Sequence, residues 1–359
     1  LKIADVLFKK LKILVIGGAG FIGVNAARYF LGKGYEVSII DNLSRKGSAY
    51  NLEKLKEEYD FQFFEEDIRN FEGIKGAIQA IGELDGLLLL AGQVAVTTSV
   101  SNPREDFEIN ALGTFNVLEA IRELGIKPLV LYSSTNKVYG KMEDVTTVLR
   151  NGRYEYENMP DGVNERQQLE FHSPYGCSKG AGDQYVHDYC RIYDIPTVVF
   201  RQSCIYGENQ FGIEDQGWVA WFTIATMLNR QITVYGDGNQ IRDVLYIGDL
   251  VRAYEMAFQN VEKCAGKIYN IGGGVDFTLS LNELLNHLRS YFGKEIKPLE
   301  GDWRPGDQRV YVSDIRKIQA ELGWSPQVGV EEGVERLSRW VEANKEVILN
   351  YVFHIPVTN

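Results

Sequence analysis

Short apolar runs alternate with longer stretches of mixed polarity through the first 200 residues of the chain. Six mostly apolar runs, rich in Val, Ile, Leu and Phe, lie at residues 13–16, 36–40, 61–65, 84–91, 129–133 and 196–200. The stretch at residues 103–124 instead has apolar residues at helical spacing, with Asn102 as a candidate N-cap before Pro103. Strands that alternate with helices predict a doubly wound α/β fold on a parallel sheet.

After residue 207 this alternation weakens. Helical patterns lie at residues 219–228, 250–259, 281–292 and 334–344, and short strand patterns lie near residues 232–235, 268–271 and 310–312. We therefore predict a doubly wound domain at residues 1–207. A smaller mixed α/β domain that binds the substrate is expected mainly in residues 208–359. We also expect that the chain can cross back into the first domain near residues 240–275.

The first apolar run leads into a glycine-rich turn. Gly17, Gly20 and Gly23 follow residues 13–16 at G-x-x-G-x-x-G spacing and precede a helical pattern at residues 24–31. A strand, a glycine turn and a helix start together form the arrangement that binds a pyrophosphate with backbone N–H groups. Taken alone, this pattern is also compatible with a glycine turn that binds no ligand.

The second apolar run ends in Asp41, about 20 residues after the glycines, where a carboxylate can bind the ribose hydroxyls of a dinucleotide. The combination predicts a Rossmann-type NAD site in residues 1–207. Because a carboxylate repels a ribose phosphate, NAD is favoured over NADP. The nearby cations Arg45 and Lys46 keep NADP as an alternative.

Polar and small residues follow several other predicted strands. Ligands of doubly wound sheets bind beyond the carboxyl ends of the strands. This rule groups Asp41 and Asp67 with residues 91–93, 133–135 and 201–203 into one predicted cluster.

A tyrosine and a lysine four residues apart, Tyr175 and Lys179, would share one face of a helix. A neighbouring ammonium and an oxidised nicotinamide both favour a tyrosine phenolate, and one such charge is worth at most about three pKa units. We therefore expect the pKa of Tyr175 near the working pH, which would make it a general base. Thr135, at the end of the fifth run, could hydrogen-bond the substrate oxygen. An ordinary amphipathic Tyr/Lys pair is the alternative.

Composition excludes several classes of protein. The chain has 359 residues, 45% of them hydrophobic, and a formal net charge of −11, which disfavours nucleic-acid and membrane-surface partners. Four cysteines lie at no metal-ligand spacing and are too few for a disulfide framework, so we expect a cytoplasmic protein without a metal. Residues 1–12 lack the apolar core of a signal peptide, and the apolar run at 87–91 is too short to span a bilayer.

These motifs occur in the order found in the extended short-chain dehydrogenase/reductase family, and residues 12–340 resemble its nucleotide-sugar epimerases and dehydratases. The resemblance implies a homo-oligomer, with a tetramer as the expected state, that binds NAD and a nucleotide sugar. It implies NAD contacts at Gly17, Gly20, Phe21, Ile22, Asp41, Asn42, Ser44, Arg45, Asp67, Ile68, Leu90, Ala91, Gly92, Gln93, Asn110, Ser133, Tyr175, Lys179, Gln202 and Ser203.

The resemblance also implies individual roles. Tyr175 would be the general base, Lys179 its activator and ribose anchor, and Thr135 the positioning hydroxyl. Substrate contacts would come from Gln93, Thr135, Asn209, Gln210, Arg242 and Arg304. The two arginines suit a diphosphate, with surface salt bridges as the alternative. Residues 218–221 would line the sugar and base pocket, or else be plain core aromatics.

Longer stretches at residues 41–47, 90–95, 134–140, 215–219 and 307–310 resemble the members that epimerise CDP-linked dideoxyhexoses at carbon 2. Asn136 and Lys137 stand where family dehydratases have an acidic pair, so a 4,6-dehydratase is not expected. A UDP-hexose 4-epimerase is the main alternative, and a catalytically silent NAD-binding regulator is a remote one. The long segment at residues 141–174 is expected to cover the sugar pocket or a neighbouring subunit.

Overall fold

The computed structural model describes residues 10–304 and 307–353. The prediction about a signal peptide concerns residues 1–12 and so lies largely outside the described part. In the described part the strands are β1 (Lys12–Ile16), β2 (Glu36–Asp41), β3 (Gln62–Glu65), β4 (Gly86–Leu89), β5 (Leu129–Thr135), β6 (Thr147–Arg150), β7 (Arg153–Tyr156), β8 (Thr197–Gln202), β9 (Cys204–Tyr206), β10 (Thr233–Tyr235), β11 (Ile241–Tyr246), β12 (Lys267–Ile271), β13 (Thr278–Ser280), β14 (Leu299–Gly301) and β15 (Val310–Tyr311).

The helices surround these strands, and none of the described ones is long and apolar enough to span a membrane. They are α1 (Phe21–Gly32), α2 (Ser48–Glu58), α3 (Phe71–Ile81), α4 (Val96–Ser101), α5 (Pro103–Phe107), α6 (Gly113–Leu124), α7 (Ser173–Tyr193), α8 (Trp218–Met227), α9 (Ile247–Gln259), α10 (Val261–Cys264), α11 (Leu281–Phe292), α12 (Arg316–Leu322), α13 (Val330–Ala343) and α14 (Lys345–Phe353).

Seven parallel strands form the central sheet, in the spatial order β3-β2-β1-β4-β5-β8-β12. Helices cover both faces, which confirms the predicted Rossmann-type fold. In β1, Ile13 and Val15 pack into one core while Leu14 and Ile16 pack into the other. Burial of both faces explains why these strands are continuous apolar runs in the sequence.

All six predicted strands of the first half occur, and their ends lie within two residues of the prediction. The seventh strand, β12, comes from the later part of the chain and pairs with β8 along the sheet edge. The division of the chain at residue 207 stays a prediction, since the chain both leaves and re-enters the sheet after that point.

The helix predicted at residues 103–124 is interrupted. A single π turn at Glu108–Leu112 separates α5 from α6. At the start of α5, the Asn102 side chain accepts a hydrogen bond from the Glu105 N–H at 3.4 Å, so Asn102 is the N-cap. Apolar spacing alone could not locate the π turn, because one extra residue barely changes the pattern over five turns.

The rest of the chain builds a smaller unit around β11. This strand pairs with β9, β13 and β15, while β10 pairs with β14 beside them. Helix α11 begins with a capping box in which Ser280 and Glu283 exchange hydrogen bonds with each other's backbone N–H. The β6–β7 hairpin, which the sequence did not predict, packs against this unit through Tyr154 and Tyr156.

Candidate active site

The glycine turn lies between β1 and α1 at the carboxyl end of the sheet. Gly17 has a φ of +86°, and a Cβ there would lie 2.5 Å from the Ala91 nitrogen. A Cβ at Gly23 would lie 2.1 Å from the Gly17 carbonyl oxygen. Gly20 is the N-cap of α1 without a side-chain hydrogen bond, and the first turn contains no acidic residue. The turn therefore fits a pyrophosphate, which needs close backbone approach and unblocked N–H groups.

Two carboxylates end β2 and follow β3. Asp41 is buried, and its oxygens accept hydrogen bonds from the Ala19 N–H at 3.0 Å and the Leu43 N–H at 2.8 Å. Burial raises the pKa of Asp41. Asp67 accepts a hydrogen bond from the Asn42 side chain at 2.8 Å. Its hydrogen bonds with Arg69 hold its pKa at about 2.

The structure brings most of the other predicted cofactor residues to the same edge. Those that line the cleft are Phe21, Ile22, Leu90, Gly92, Ser133, Gln202 and Ser203, together with Tyr175 and Lys179. Ser44 is exposed and donates a hydrogen bond to Asn42 at 2.7 Å. Arg45 hydrogen-bonds Gln216, so it connects the loop after β2 with the smaller unit. Ile68 is buried against Gly113.

Asn110 and Gln93 support the loop after β4. Asn110 lies in the π turn, accepts a hydrogen bond from the Gln93 N–H at 3.0 Å and donates one to the Gln93 carbonyl at 2.9 Å. The Gln93 side chain is engaged with both backbone groups of Ala95. The Gln93 amide is thus used within its own loop, and its contact with the substrate stays a prediction.

The predicted catalytic residues meet in one place. Thr135 ends β5, Tyr175 and Lys179 lie one turn apart on α7, and all three are buried against the cleft. The Lys137 N–H donates a hydrogen bond to Thr135 Oγ1 at 3.2 Å, which orients that hydroxyl. The Lys179 ammonium lies 4.2 Å from the centroid of the Tyr132 ring.

Burial is the largest cause of the pKa shifts of Tyr175 and Lys179. It raises the pKa of Tyr175 to about 12, although a hydrogen bond with Thr135 lowers it. Burial also lowers the pKa of Lys179 to about 7, against the attraction of Asp183 and Asp106. Burial therefore outweighs the protein groups that lower the pKa of Tyr175. The expectation of a pKa near the working pH includes the charge of an oxidised nicotinamide, and it stays a prediction.

A buried ion pair fixes α7 to the sheet. Arg201 on β8 makes two hydrogen bonds of 2.9 Å with the carboxylate of Asp183, and Ser134 donates a third at 2.7 Å. Both charged side chains are at most 2% exposed. Arg201 also donates to the Tyr139 hydroxyl at 3.2 Å, which in turn donates to Asn270 on β12 at 2.7 Å. The helix that presents Tyr175 and Lys179 is thus held by the strands on which the cleft is built.

The cleft continues between the sheet and the smaller unit and has a volume of about 770 Å³. Gln210, Arg242 and Arg304 line it, as predicted by position. Arg304 lies 3.3 Å from Asp215 and its guanidinium lies 3.9 Å from the centroid of the Tyr235 ring. Arg242 lies 4.0 Å from Asp307.

Asn209 lies beside α1. It has a φ of +65°, and its side chain donates a hydrogen bond to Asn25 of α1 at 3.1 Å. Its contact with the substrate stays a prediction. Within residues 218–221, Trp218 lines the cleft whereas Trp221 is in the core.

The segment at residues 141–174 reaches the cleft only at its end, through His172 and Ser173. Its hairpin contacts the smaller unit instead, where Tyr154 donates a hydrogen bond to Asp237 at 2.7 Å. Cover over the sugar pocket by this segment stays a prediction. Contact with a neighbouring subunit stays a prediction.

Sequence reasoning missed several residues that line the cleft. Tyr235 and Phe222 carry no motif that separates them from ordinary surface or core residues. Lys137 was considered only as a replacement for an acid. A lysine directly before the buried residues Val138 and Tyr139, at the end of a predicted strand, was the available signal.

Comparison with known proteins agrees with this geometry. The family model described as GDP-mannose 4,6 dehydratase matches residues 14–337. The chain belongs to this family. Its members are extended short-chain dehydrogenases/reductases, as the order of motifs implied, and the relatives of the chain include both nucleotide-sugar epimerases and dehydratases.

Three relatives show how much of the chain is similar to known proteins. CDP-paratose 2-epimerase of Salmonella typhi is 44% identical over 93% of this chain and 100% of its own length. UDP-glucose 4-epimerase of Thermotoga maritima, solved with UDP-glucose, has a TM-score of 0.80 and 29% identity over 94% of this chain and 100% of its own. The Thermus thermophilus UDP-glucose 4-epimerase, solved with NAD, has a TM-score of 0.78 and 30% identity over 92% and 99%.

The cofactor of this family member is NAD. Solved family relatives contain it, and the residues of this chain fit it. A residue larger than glycine at position 17 would clash with Ala91. The Asp41 carboxylate would repel a ribose phosphate.

Proposed function

We propose that the protein is an NAD-dependent CDP-paratose 2-epimerase that interconverts CDP-paratose and CDP-tyvelose through a transient keto sugar. Its relatives are nucleotide-sugar epimerases and dehydratases, so an enzyme acting on a nucleotide sugar is the broader statement. The observation that carries the finer proposal is the 44% identity with the Salmonella typhi epimerase along that protein's whole length. Such an activity would serve the synthesis of O-antigen sugars.

Bound NAD would supply the chemistry of hydride removal and return at the sugar carbon. The phenolic oxygen of Tyr175 takes the proton from the sugar hydroxyl and later gives it back. Thr135 donates a hydrogen bond to the same sugar oxygen and holds it beside Tyr175. Lys179 lies one turn away on α7 and, when protonated, stabilises the phenolate.

Tyr175 needs help to reach the phenolate. Its pKa of about 12 in the protein alone means that few molecules carry it at neutral pH. A protonated Lys179 provides one of the positive charges required. The attraction of Asp183 and Asp106, which counters burial, favours that protonated state of Lys179.

The residues after Thr135 favour epimerisation over dehydration. Elimination of water requires a second acid and base next to the sugar. Asn136 is buried and its amide accepts a hydrogen bond from Thr135 at 3.3 Å, while Lys137 is a cation. Neither residue can act as a carboxylic acid, so the ketone formed at the sugar is expected to be reduced again.

We propose that Arg242 and Arg304 bind the diphosphate, with Gln210 beside them in the substrate pocket. Both arginines line the cleft on the side of the smaller unit, opposite Thr135 and Tyr175. The buried Oε1 of Gln210 has no hydrogen-bond partner among the described residues, which suits a group that awaits a ligand donor.

We further propose a cytoplasmic homotetramer. The four cysteines are free, which supports a reducing compartment. Large apolar side chains are exposed on the segment from α4 to the π turn and on α7, namely Val100, Phe107, Leu112, Tyr185, Ile192 and Tyr193. Because α4, α5 and α6 all pack along α7, these residues lie on adjoining elements where a second copy could cover them.

The deciding experiment is proton NMR of CDP-paratose or CDP-tyvelose incubated with the pure protein, with UDP-glucose and UDP-galactose in parallel. We expect interconversion of the CDP-dideoxyhexoses only. The Tyr175→Phe variant is the matched control, which should keep NAD and lose turnover. Interconversion of only the UDP-hexoses would contradict the proposed substrate and place the reaction at carbon 4.

A further inference from the structure

Lys137 places a cation in the cleft that the proposed chemistry does not use. It lies on the short turn Asn136–Tyr139 directly after β5. Its N–H is bound to Thr135 Oγ1 at 3.2 Å and its carbonyl accepts the Gly140 N–H at 3.2 Å, so its backbone is fixed beside the catalytic threonine. The side chain lines the cleft.

Its ammonium has no hydrogen bond or ion pair with any residue in the described ranges. The ionisable groups near enough to shift its pKa are the Arg242 guanidinium of β11, the Asp307 carboxylate of the loop before β15 and the Cys204 thiol of β9, and all three line the same cleft. Asp307 already lies 4.0 Å from Arg242. Two cations therefore share one carboxylate at this part of the cleft.

The other charged groups on this side of the cleft have partners of their own. Arg304 lies 3.3 Å from Asp215, and Glu214 accepts a hydrogen bond from the Tyr235 hydroxyl at 3.1 Å. Lys137 and Arg242 therefore have the Asp307 carboxylate between them in a partly enclosed space. Like charges held together away from water repel one another, and an anion bound between them removes that cost.

We propose that Lys137 binds the sugar-side phosphate of the nucleotide sugar, together with Arg242. The backbone of Lys137 adjoins Thr135, which would hold the sugar, and its side chain lines the same cleft as Arg242, which would hold the diphosphate. This position corresponds to the junction of sugar and diphosphate. The inference rests on the proposed class of substrate but not on the sugar or on the carbon that reacts.

A change in the protonation of Lys137 on ligand binding would distinguish a phosphate contact from a purely structural role of this residue. Burial, and then repulsion from Arg242, lower the pKa of Lys137 to about 8, while Asp307 opposes this. A bound phosphate would raise that pKa again. Above about pH 8, the binding of a diphosphate should therefore take up a proton, whereas near pH 6.5 the lysine is already charged and uptake should vanish.

The test is titration calorimetry of the NAD-loaded protein with CDP and with CMP, in buffers of different ionisation enthalpy. The Lys137→Met variant should bind CDP about ten- to a hundredfold more weakly, the loss expected for one charge-assisted hydrogen bond. Its affinity for CMP, which lacks the sugar-side phosphate, should be almost unchanged. Proton uptake with CDP at pH 8.5 should disappear.

Two further variants serve as controls for Lys137→Met. Lys141→Met removes an exposed lysine outside the cleft that pairs with Glu143, and it should leave CDP affinity and proton uptake as they are. Lys137→Arg retains the charge and should restore most of the CDP affinity. Equal weakening for CDP and CMP, or an unchanged affinity for CDP in Lys137→Met, would overturn the proposal.

If the proposed substrate is wrong, the same binding experiment would give a different result. A protein that binds UDP but not CDP has another base specificity, and the same comparison is then made with UDP and UMP. A selective loss for UDP in Lys137→Met would still support the phosphate contact. Loss of the same size for UDP and UMP would refute it.

Discussion

Tyr175 and Lys179 occupy a site in which burial opposes the charge states that the reaction uses. The tyrosine is held neutral, with a pKa of about 12, and the lysine is weakly basic, with a pKa of about 7. Neither residue gains stability from this environment. The pair is therefore expected to reduce the stability of the fold while it prepares the site for a cationic cofactor ring.

Replacement of Lys179 by methionine should abolish turnover and raise the melting temperature of the nucleotide-free protein at pH 7. The pKa of Lys179 is about 7 in the folded protein and 10.5 for an unperturbed lysine, so the unfolded chain binds more protons between these values. The free energy of unfolding of the unaltered protein therefore rises with pH across this window. The advantage of the variant should shrink as the pH approaches 10.

Thermal unfolding at several pH values measures this effect. The Lys141→Met variant serves as control, because that exposed side chain lies outside the cleft. An advantage that stayed constant from pH 7 to pH 10 would show that packing, and not charge, explains the change.

Single residues also show where sequence reasoning works. Thr135, Tyr175 and Lys179 could be predicted because each is set by a strand end or a helical repeat, which determines direction. Gln93 and Asn209 lie in loops, where a local hydrogen bond or a positive φ, rather than a repeating pattern, sets the local geometry. Lys137 required knowledge of which charges surround it, and these come from three separate parts of the chain.

At the scale of elements, the position of α7 depends on Asp183 and Arg201. Both are buried and form two hydrogen bonds of 2.9 Å between α7 and β8. Ser134 and Tyr139 extend these contacts to the residues around the catalytic threonine. A change here is expected to affect both stability and the geometry of the Tyr175–Lys179 face.

The Asp183→Asn variant should lose about 3–5 kcal/mol of stability, because it leaves the Arg201 guanidinium buried without a counter-charge. Urea unfolding measures the loss. The double variant Asp183→Leu with Arg201→Met should be less destabilised than Asp183→Asn, since it removes both charges. A double variant less stable than the single one would show that the hydrogen bonds, rather than the unpaired charge, dominate.

Elements differ in how far the sequence predicts them. The strands of the central sheet are buried on both faces, so their apolar runs locate them within two residues. The β6–β7 hairpin is half exposed, and its residues mix charge with aromatic rings. It is ordered by contacts with distant residues such as Asp237 and Glu283, which no local pattern contains.

At the scale of the molecule, the exposed apolar side chains of α5 and α7 suggest how copies assemble. Phe107 is 57% exposed and Ile192 is 63% exposed. Exposed groups of this size on neighbouring helices are usually covered in an oligomer.

Replacement of Phe107 by aspartate should therefore convert the proposed tetramer into smaller species, as measured by light scattering coupled to gel filtration. A charge placed in an apolar interface must be desolvated, which opposes association. Val275→Asp is the matched control, because Val275 is 49% exposed on a loop elsewhere in the molecule. A tetramer that persists in Phe107→Asp, or one lost equally in Val275→Asp, would contradict this assignment of the interface.

The two paired strands β8 and β12 are synthesised at different times. Strand β8 ends at Gln202, and its edge partner β12 begins at Lys267, 65 residues later (267 − 202). At about 5–20 residues per second, a ribosome needs about 3–13 seconds to make that length. During this interval the nascent chain presents an open row of N–H and C=O groups along β8. Chaperone binding to stalled nascent chains should therefore be greatest for those that end between residues 202 and 267.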